Sequence, residues 1–187
     1  MACNDDAEDG VAAPTTMTST GATTTTEPAA EPSCSFEPDG ADTQQSEGEG
    51  GPLFIDSIVH AELEHACAEE VAFRVEEPES GSRVAYEVGY SSGPFEDPSG
   101  RAATVKGEAF LRVVLLNATT VDLSGNEPRE TMTFQGQPTE GAAVRDIVKV
   151  SDFEGVSEWV IGVDARRPFT AEYDADSREF LVTISTA

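Results

Sequence analysis

The amino-acid sequence predicts an all-β fold, an antiparallel β-sandwich or barrel-like domain of about eight to nine strands, preceded by a disordered N-terminal stalk. Three observations carry that expectation. Apolar residues recur with a period of two through much of residues 52–187, and no 11-residue stretch there sustains the 3.6-residue period of an amphipathic helix. Breaks rich in Gly, Pro, Asn and Asp separate the apolar runs at short intervals. The composition also changes abruptly at Pro52, where a polar stretch gives way to Leu53-Phe54-Ile55.

Residues 1–51 come first. They are rich in Thr, Ala, Glu, Gly, Ser and Pro, and Phe36 is the only large apolar side chain after Met17. A segment of that kind buries too little apolar surface to offset its ordering entropy, so it is expected to be disordered. Its reach as a flexible chain is roughly 35–40 Å. The segment opens Met1-Ala2-Cys3-Asn4-Asp5-Asp6, which looks like the end of a bacterial lipoprotein signal, where a small-residue turn precedes the Cys that receives lipid. The expectation is a lipidated Cys3 on the outer face of the cytoplasmic membrane, or secretion where that Cys carries no lipid. No other membrane contact is expected, since no run of 18 or more apolar residues occurs.

Within 52–187, residues 53–59 read as the entering strand. Val71, Phe73 and Val75 alternate with Ala72 and Arg74, and Val84, Tyr86, Val88 and Tyr90 alternate with Ala85, Glu87 and Gly89. Between these, Glu62 to Glu70 has room for a short helical turn at most. A turn-rich excursion follows over residues 91–100. Residues 109–116 form the most apolar run and are expected as a central strand buried on both faces. A polar connection then spans about 118–141, and strands are expected at 143–150, 156–163, 168–173 and 179–185.

The formal net charge is −25, from 36 acidic and 11 basic residues. Residues 1–51 hold eleven acids and no Lys or Arg, so 52–187 carries about −14. Such a field repels phosphate backbones and bare anionic lipid, which excludes nucleic acid as an expected partner. Cys34 and Cys67 form an even pair once Cys3 is set aside, and in an exported protein that pairing is expected to be a disulfide. It closes a loop of about 33 residues and stabilises by roughly 3–4 kcal/mol on a chain-entropy estimate.

Catalytic and metal chemistry leave little trace. His60 and His65 lie near Glu62, Glu64 and Cys67, but the spacing is not His-Glu-x-x-His and no second His or Cys cluster supports a metal site. No Ser sits in Gly-x-Ser-x-Gly, no Gly-rich phosphate loop follows a strand, and paired acids carry little information in so acidic a chain. No catalytic residue, metal or cofactor is expected.

Two segments resemble the actinobacterial AMIN-like domain of exported proteins and lipoproteins. One runs Val150-Ser151-Asp152-Phe153-Glu154-Gly155-Val156-Ser157-Glu158-Trp159-Val160-Ile161-Gly162-Val163 and continues to Arg166-Arg167-Pro168-Phe169. The other joins Arg83-Val84-Ala85-Tyr86-Glu87-Val88 through Asp97-Pro98-Ser99-Gly100 to Val105-Lys106-Gly107-Glu108-Ala109-Phe110-Leu111. The chain departs from the family pattern at Ala68-Glu69-Glu70-Val71, where an Asp-Arg pair is expected, so no role of that Arg is carried over. The resemblance implies an all-β domain related to the AMIN modules that attach cell-wall amidases to peptidoglycan. Phe153 and Trp159 then have two readings. Either they are core anchors, or they are exposed aromatics beside Arg166 and Arg167 that stack on sugar rings and pair with carboxylates.

The resulting expectation is a monomeric, non-catalytic envelope module. Trp159, Arg166, Arg167 and Phe169 are its candidate binding residues, and its partner is a cell-wall glycan or, alternatively, an envelope protein docking on an acidic face. A carboxylate-based hydrolase is a weaker third reading.

Overall fold

The structure, a computed structural model, describes Cys34, Phe36 and residues 42–48, 51–76 and 82–187. Cys3 and most of the expected stalk lie outside the described residues. The fold is all-β. Among the described residues, nine strands of four or more residues occur: β1 (Thr43–Ser46), β2 (Leu53–Leu63), β3 (Ala68–Glu76), β4 (Ala85–Ser91), β5 (Ala109–Leu116), β6 (Val144–Phe153), β7 (Val156–Val163), β8 (Phe169–Asp174) and β9 (Glu179–Ser185). The expected short turn is a 3-10 turn at Glu64–Ala66, which Cys67 ends in the left-handed region at φ 51°.

Two antiparallel sheets face one another. The first has the order β1-β4-β5-β7-β6 and the second runs β2-β3-β9-β8. Alternation fills the space between them. Leu111, Val113 and Leu115 of β5 and Trp159, Ile161 and Val163 of β7 point inward from the first sheet. They meet Val71, Phe73 and Val75 of β3 and Phe180, Val182 and Ile184 of β9. Phe73 lies between the two halves, edge-on to Trp159 at 5.6 Å and tilted against Phe180 at 5.9 Å.

The excursion after β4 covers only one end of the outer face of the central strand, which is not buried on both faces as expected: Arg112 there pairs with Glu158 at 2.7 Å and stays partly exposed, and Leu116 is 41% exposed. Phe95 folds back onto the outer face of the first sheet and packs with Phe110, Val150 and Val160 as a second, smaller core. The expected polar connection likewise returns to the domain. Ala118–Thr119 and Phe134–Gln135 each add a two-residue parallel ladder to β2.

Some expectations change here. Thr43–Ser46, expected within the disordered stalk, pairs antiparallel with β4, because backbone groups left open on a sheet edge accept a partner of almost any composition. Phe153, offered as a core anchor, is 60% exposed. It ends β6 beside the two-residue turn Glu154-Gly155, where both residues have positive φ (53° and 76°) as the twist of a tight hairpin requires. Gly162 faces a register shift in β6 between Val144 and Asp146, and a β-carbon on it would run into the carbonyl oxygen of Lys106, so it permits close backbone approach. Arg166-Arg167-Pro168 lies in the connection that takes the chain from one sheet to the other, because β7 and β8 belong to different sheets.

On the outer face of the second sheet, Glu70 sits near like charges. Burial of its carboxyl, followed by the charges of Glu179 and Glu172, raises its pKa above the ordinary value, against a lowering hydrogen bond from Thr183. A carboxylate shifted upward in the folded state costs stability when ionised. The fold therefore gains as pH falls from neutral through that raised pKa toward the ordinary carboxylate range. Glu70→Gln is expected to stabilise at pH 7 by a few tenths of a kcal/mol, since solvent screens a half-exposed group. It should also flatten that part of the stability profile. Superimposable pH profiles for variant and parent would refute the assignment.

Candidate functional site

The connection from β7 to β8 carries the chain across one end of the sandwich, and its residues assemble a basic corner in an acidic domain. Asp164 opens the connection with its N–H donated to the carbonyl of Ala143 at 2.9 Å. Arg167 then folds back on Asp164 as a two-pronged fork, Nε to Oδ1 at 2.7 Å and Nη2 to Oδ2 at 3.0 Å. This fork holds the Asp164 carboxyl below the usual carboxylate range, with a weaker contribution from Arg145 at 3.8 Å. A third contact from Arg167, to the carbonyl of Ser185 at 3.4 Å, ties the corner to β9.

Tyr90 at the end of β4 locks the connection from the other side. Its hydroxyl donates to the Arg167 carbonyl at 2.7 Å and accepts the Arg167 N–H at 2.8 Å, while its ring meets Phe169 edge-on at 5.8 Å. Burial is the main reason its pKa lies above the ordinary tyrosine value. The neighbouring Arg166 behaves differently. Its guanidinium lies over the Tyr90 ring, 4.7 Å from the centroid, and its side chain remains 58% exposed. Its ion pair with the Asp42 carboxylate, at 2.8 Å, is the chief cause of its raised pKa.

Beside this stack runs an open groove of about 430 Å³ lined by Tyr90, Ser91, Ser92, Glu108, Phe110 and Arg166. Glu108 also borders a second depression with Lys106, Arg145 and Asp164. The arrangement offers an aromatic wall, an exposed planar cation and two hydroxyls. That set can stack on a flat apolar face and pair with a carboxylate.

The four sequence-nominated binding residues therefore part company. Arg166 is placed to meet a ligand. Arg167 is engaged by Asp164, so it shapes the corner. Trp159 and Phe169 are 0% and 1% exposed, which corrects the expectation that they present surface. Trp159 lies on the inward face of β7 and donates its Nε1 proton to Ser157 Oγ at 2.8 Å. The hydrophobic effect claims these rings because two sheets need large side chains to fill the space between them.

Tyr90 was legible only as a member of an alternating run, and Phe110 only as part of the most apolar run and of the stretch that carries the resemblance. Glu69 was legible only as a departure from a family pattern, yet among the described residues it is the one acidic or basic residue that is buried. Its carboxylate accepts the N–H groups of Ala143 at 2.6 Å and Val144 at 2.8 Å, and His60 Nε2 lies 3.1 Å away. Glu69 thus stitches β3 of one sheet to the start of β6 in the other. It also lines a groove of about 530 Å³ with Glu62, Glu64 and Glu140, beside the Cys34–Cys67 disulfide. Both Glu69 oxygens are engaged by backbone donors, so this carboxylate is built as a structural acceptor. The disulfide is formed as expected, its Cα atoms 5.1 Å apart, and Phe36 donates its N–H to the Ala66 carbonyl next to it. No trio of His, Cys, Asp or Glu capable of holding a metal ion occurs among the described residues. The His65 side chain lies outside them.

A family model described as the AMIN-like domain matches residues 62–185. The match begins in β2 and ends with β9, so it contains both the Arg166–Tyr90 corner and the Glu69 stitch. No curated protein and no solved structure matches the chain.

Proposed function

The chain belongs to the AMIN-like domain family, and from that premise we propose that it is a non-catalytic binding module contacting peptidoglycan or another wall glycan through the corner built on Arg166 and Tyr90. AMIN-like domains are generally binding modules without catalytic activity and are typically extracytoplasmic, in the cell envelope. The observation that supports the reading best is the guanidinium of Arg166, which stays 58% exposed while paired with Asp42, lying over the Tyr90 ring beside the groove. An aromatic face suits the apolar face of a sugar ring, and a guanidinium suits the carboxylates of stem peptides. In this reading the protein is an actinobacterial lipoprotein. A lipid on Cys3 fixes it to the outer face of the cytoplasmic membrane, the residues ahead of Cys34 supply the reach, and the rest of the chain, with the Cys34–Cys67 bond and β1, acts as a monomeric domain.

Co-sedimentation of the full chain with purified cell-wall sacculi tests the proposal, at low salt and at about 0.5 M salt, where the Debye length falls to roughly 4 Å. Pelleting is expected to survive salt. Arg166→Ala should weaken it at least fivefold, about 1 kcal/mol. A chain that pellets under neither condition sinks the wall-binding reading. The alternative partner is a basic envelope protein docking on the outer face of the second sheet, where Glu70 lies near Glu172 and Glu179, and Glu179 pairs with Arg74 at 2.6 Å. Binding of that kind disappears at high salt and ignores Arg166.

A further inference from the structure

The strand Thr43–Ser46 is held the way a ligand is held. None of its side chains enters either apolar core, and Thr43, Gln45 and Ser46 are exposed. Its contacts are polar and lie along two sheet edges at once. Its backbone pairs with β4 from Thr43↔Gly89 to Ser46↔Tyr86. The Gln44 side chain donates from Nε2 to the Phe169 carbonyl at 2.9 Å and accepts the Ala171 N–H on Oε1 at 2.7 Å. That amide stands where a neighbouring strand would stand on the edge of β8. Side chains two apart in an extended chain share a face, so Asp42 reaches Arg166 from the same side. Gly89 leaves room for the approach; a β-carbon there would meet Thr43 Oγ1 at 2.9 Å.

We propose that the cleft between the β4 and β8 edges, with Arg166 at its mouth, docks an extended acidic segment of a partner protein, and that Asp42–Ser46 is a self-ligand occupying this cleft. Edge pairing supplies sequence-tolerant backbone hydrogen bonds, while Arg166 selects a carboxylate at the strand's entry and Gln44 marks a position that takes an amide. The Cys34–Cys67 bond tethers the segment just ahead of Asp42, so the self-ligand competes at a high effective concentration. A partner segment therefore meets a cleft that is free for a small fraction of the time, and its apparent affinity is lowered by that fraction. The proposal shares Arg166 with the wall-binding reading but needs no glycan.

The test uses a fluorescent synthetic peptide with the sequence of residues 40–48, titrated into the full-length disulfide-intact chain by anisotropy. Asp42→Ala/Gln44→Ala, which loosens the self-ligand without touching the core, is expected to bind the peptide at least tenfold more tightly than the parent. Adding Arg166→Ala to that variant, or replacing the peptide's Asp by Asn, should each weaken binding at least threefold. Equal affinity for parent and loosened variant, or no binding to either, overturns the proposal. Hydrogen exchange on the parent provides a reading independent of any variant. Amides of residues 43–46 are expected to exchange at least a hundredfold faster than those of β5 and β7, and protection equal to those central strands overturns displaceability. Neither assay contains wall material, so sacculus binding and peptide docking succeed or fail separately.

Discussion

Replacing Trp159 with alanine is expected to lower the unfolding free energy by about 3–5 kcal/mol. The indole is wholly buried, meets Phe73 across the interface between the sheets, and spends its one N–H on Ser157 Oγ. Truncation removes the transfer free energy of a large ring, opens a cavity that flanking strands cannot close, and leaves buried Ser157 without its donor. Against a total stability on the order of 5–15 kcal/mol, that is a severe loss. Trp159 is the sole tryptophan, so urea unfolding is followed by far-ultraviolet circular dichroism instead of fluorescence. Trp159→Phe keeps most of the volume and forfeits the hydrogen bond, so its effect falls between. The fraction that remains folded should bind its partner as the parent does, because the indole reaches no surface. A loss of stability below about 1 kcal/mol would contradict the core assignment.

Glu69→Ala is expected to cost about 3–4 kcal/mol for a different reason. The substitution deletes the acceptor for two backbone donors at Ala143 and Val144, both buried, and an orphaned buried N–H costs roughly 1–3 kcal/mol. Part of that is offset by no longer burying a carboxylate. Glu69→Gln retains one acceptor oxygen and turns its NH₂ toward the second donor, so it should recover a fraction of the loss. Hydrogen exchange at Ala143 and Val144 reads the site directly. Both amides should lose protection in Glu69→Ala ahead of the central strands. An unfolding midpoint within about 0.5 kcal/mol of the parent would show that water or a neighbouring group satisfies these donors.

The two substitutions also show what kind of information each residue holds. Trp159 sits in a strand that the sequence placed at 156–163, and its inward direction follows once the register of β7 between β5 and β6 is known. Phe153, six residues earlier, has the same hydrophobic character and lies at a hairpin end in solvent. Sequence offered both aromatics as core or contact, and it carried no signal to separate them. Glu69 was harder still. Two adjacent acids before a strand look alike on paper, yet Glu70 faces outward among other acids and Glu69 turns inward to backbone donors more than seventy positions away. The self-paired segment was invisible for a related reason. Thr43-Gln44-Gln45-Ser46 has no apolar pattern, and its order comes from open edges elsewhere in the chain.

By itself the sequence determined the all-β class and the approximate positions of the longer strands from Leu53 onward, and it pointed to the pairing of Cys34 with Cys67. These depend on local periodicity, turn chemistry and parity, all of which are properties of neighbouring residues or of simple counts. Tertiary structure alone decided which aromatics are buried, which of two consecutive arginines is spent internally, and where β1 attaches. Those outcomes depend on contacts between residues far apart in the chain. Arg167 is held internally because the β7–β8 connection brings Asp164 and the Tyr90 hydroxyl around it, while Arg166, one residue earlier, lies over the Tyr90 ring and pairs with the exposed Asp42.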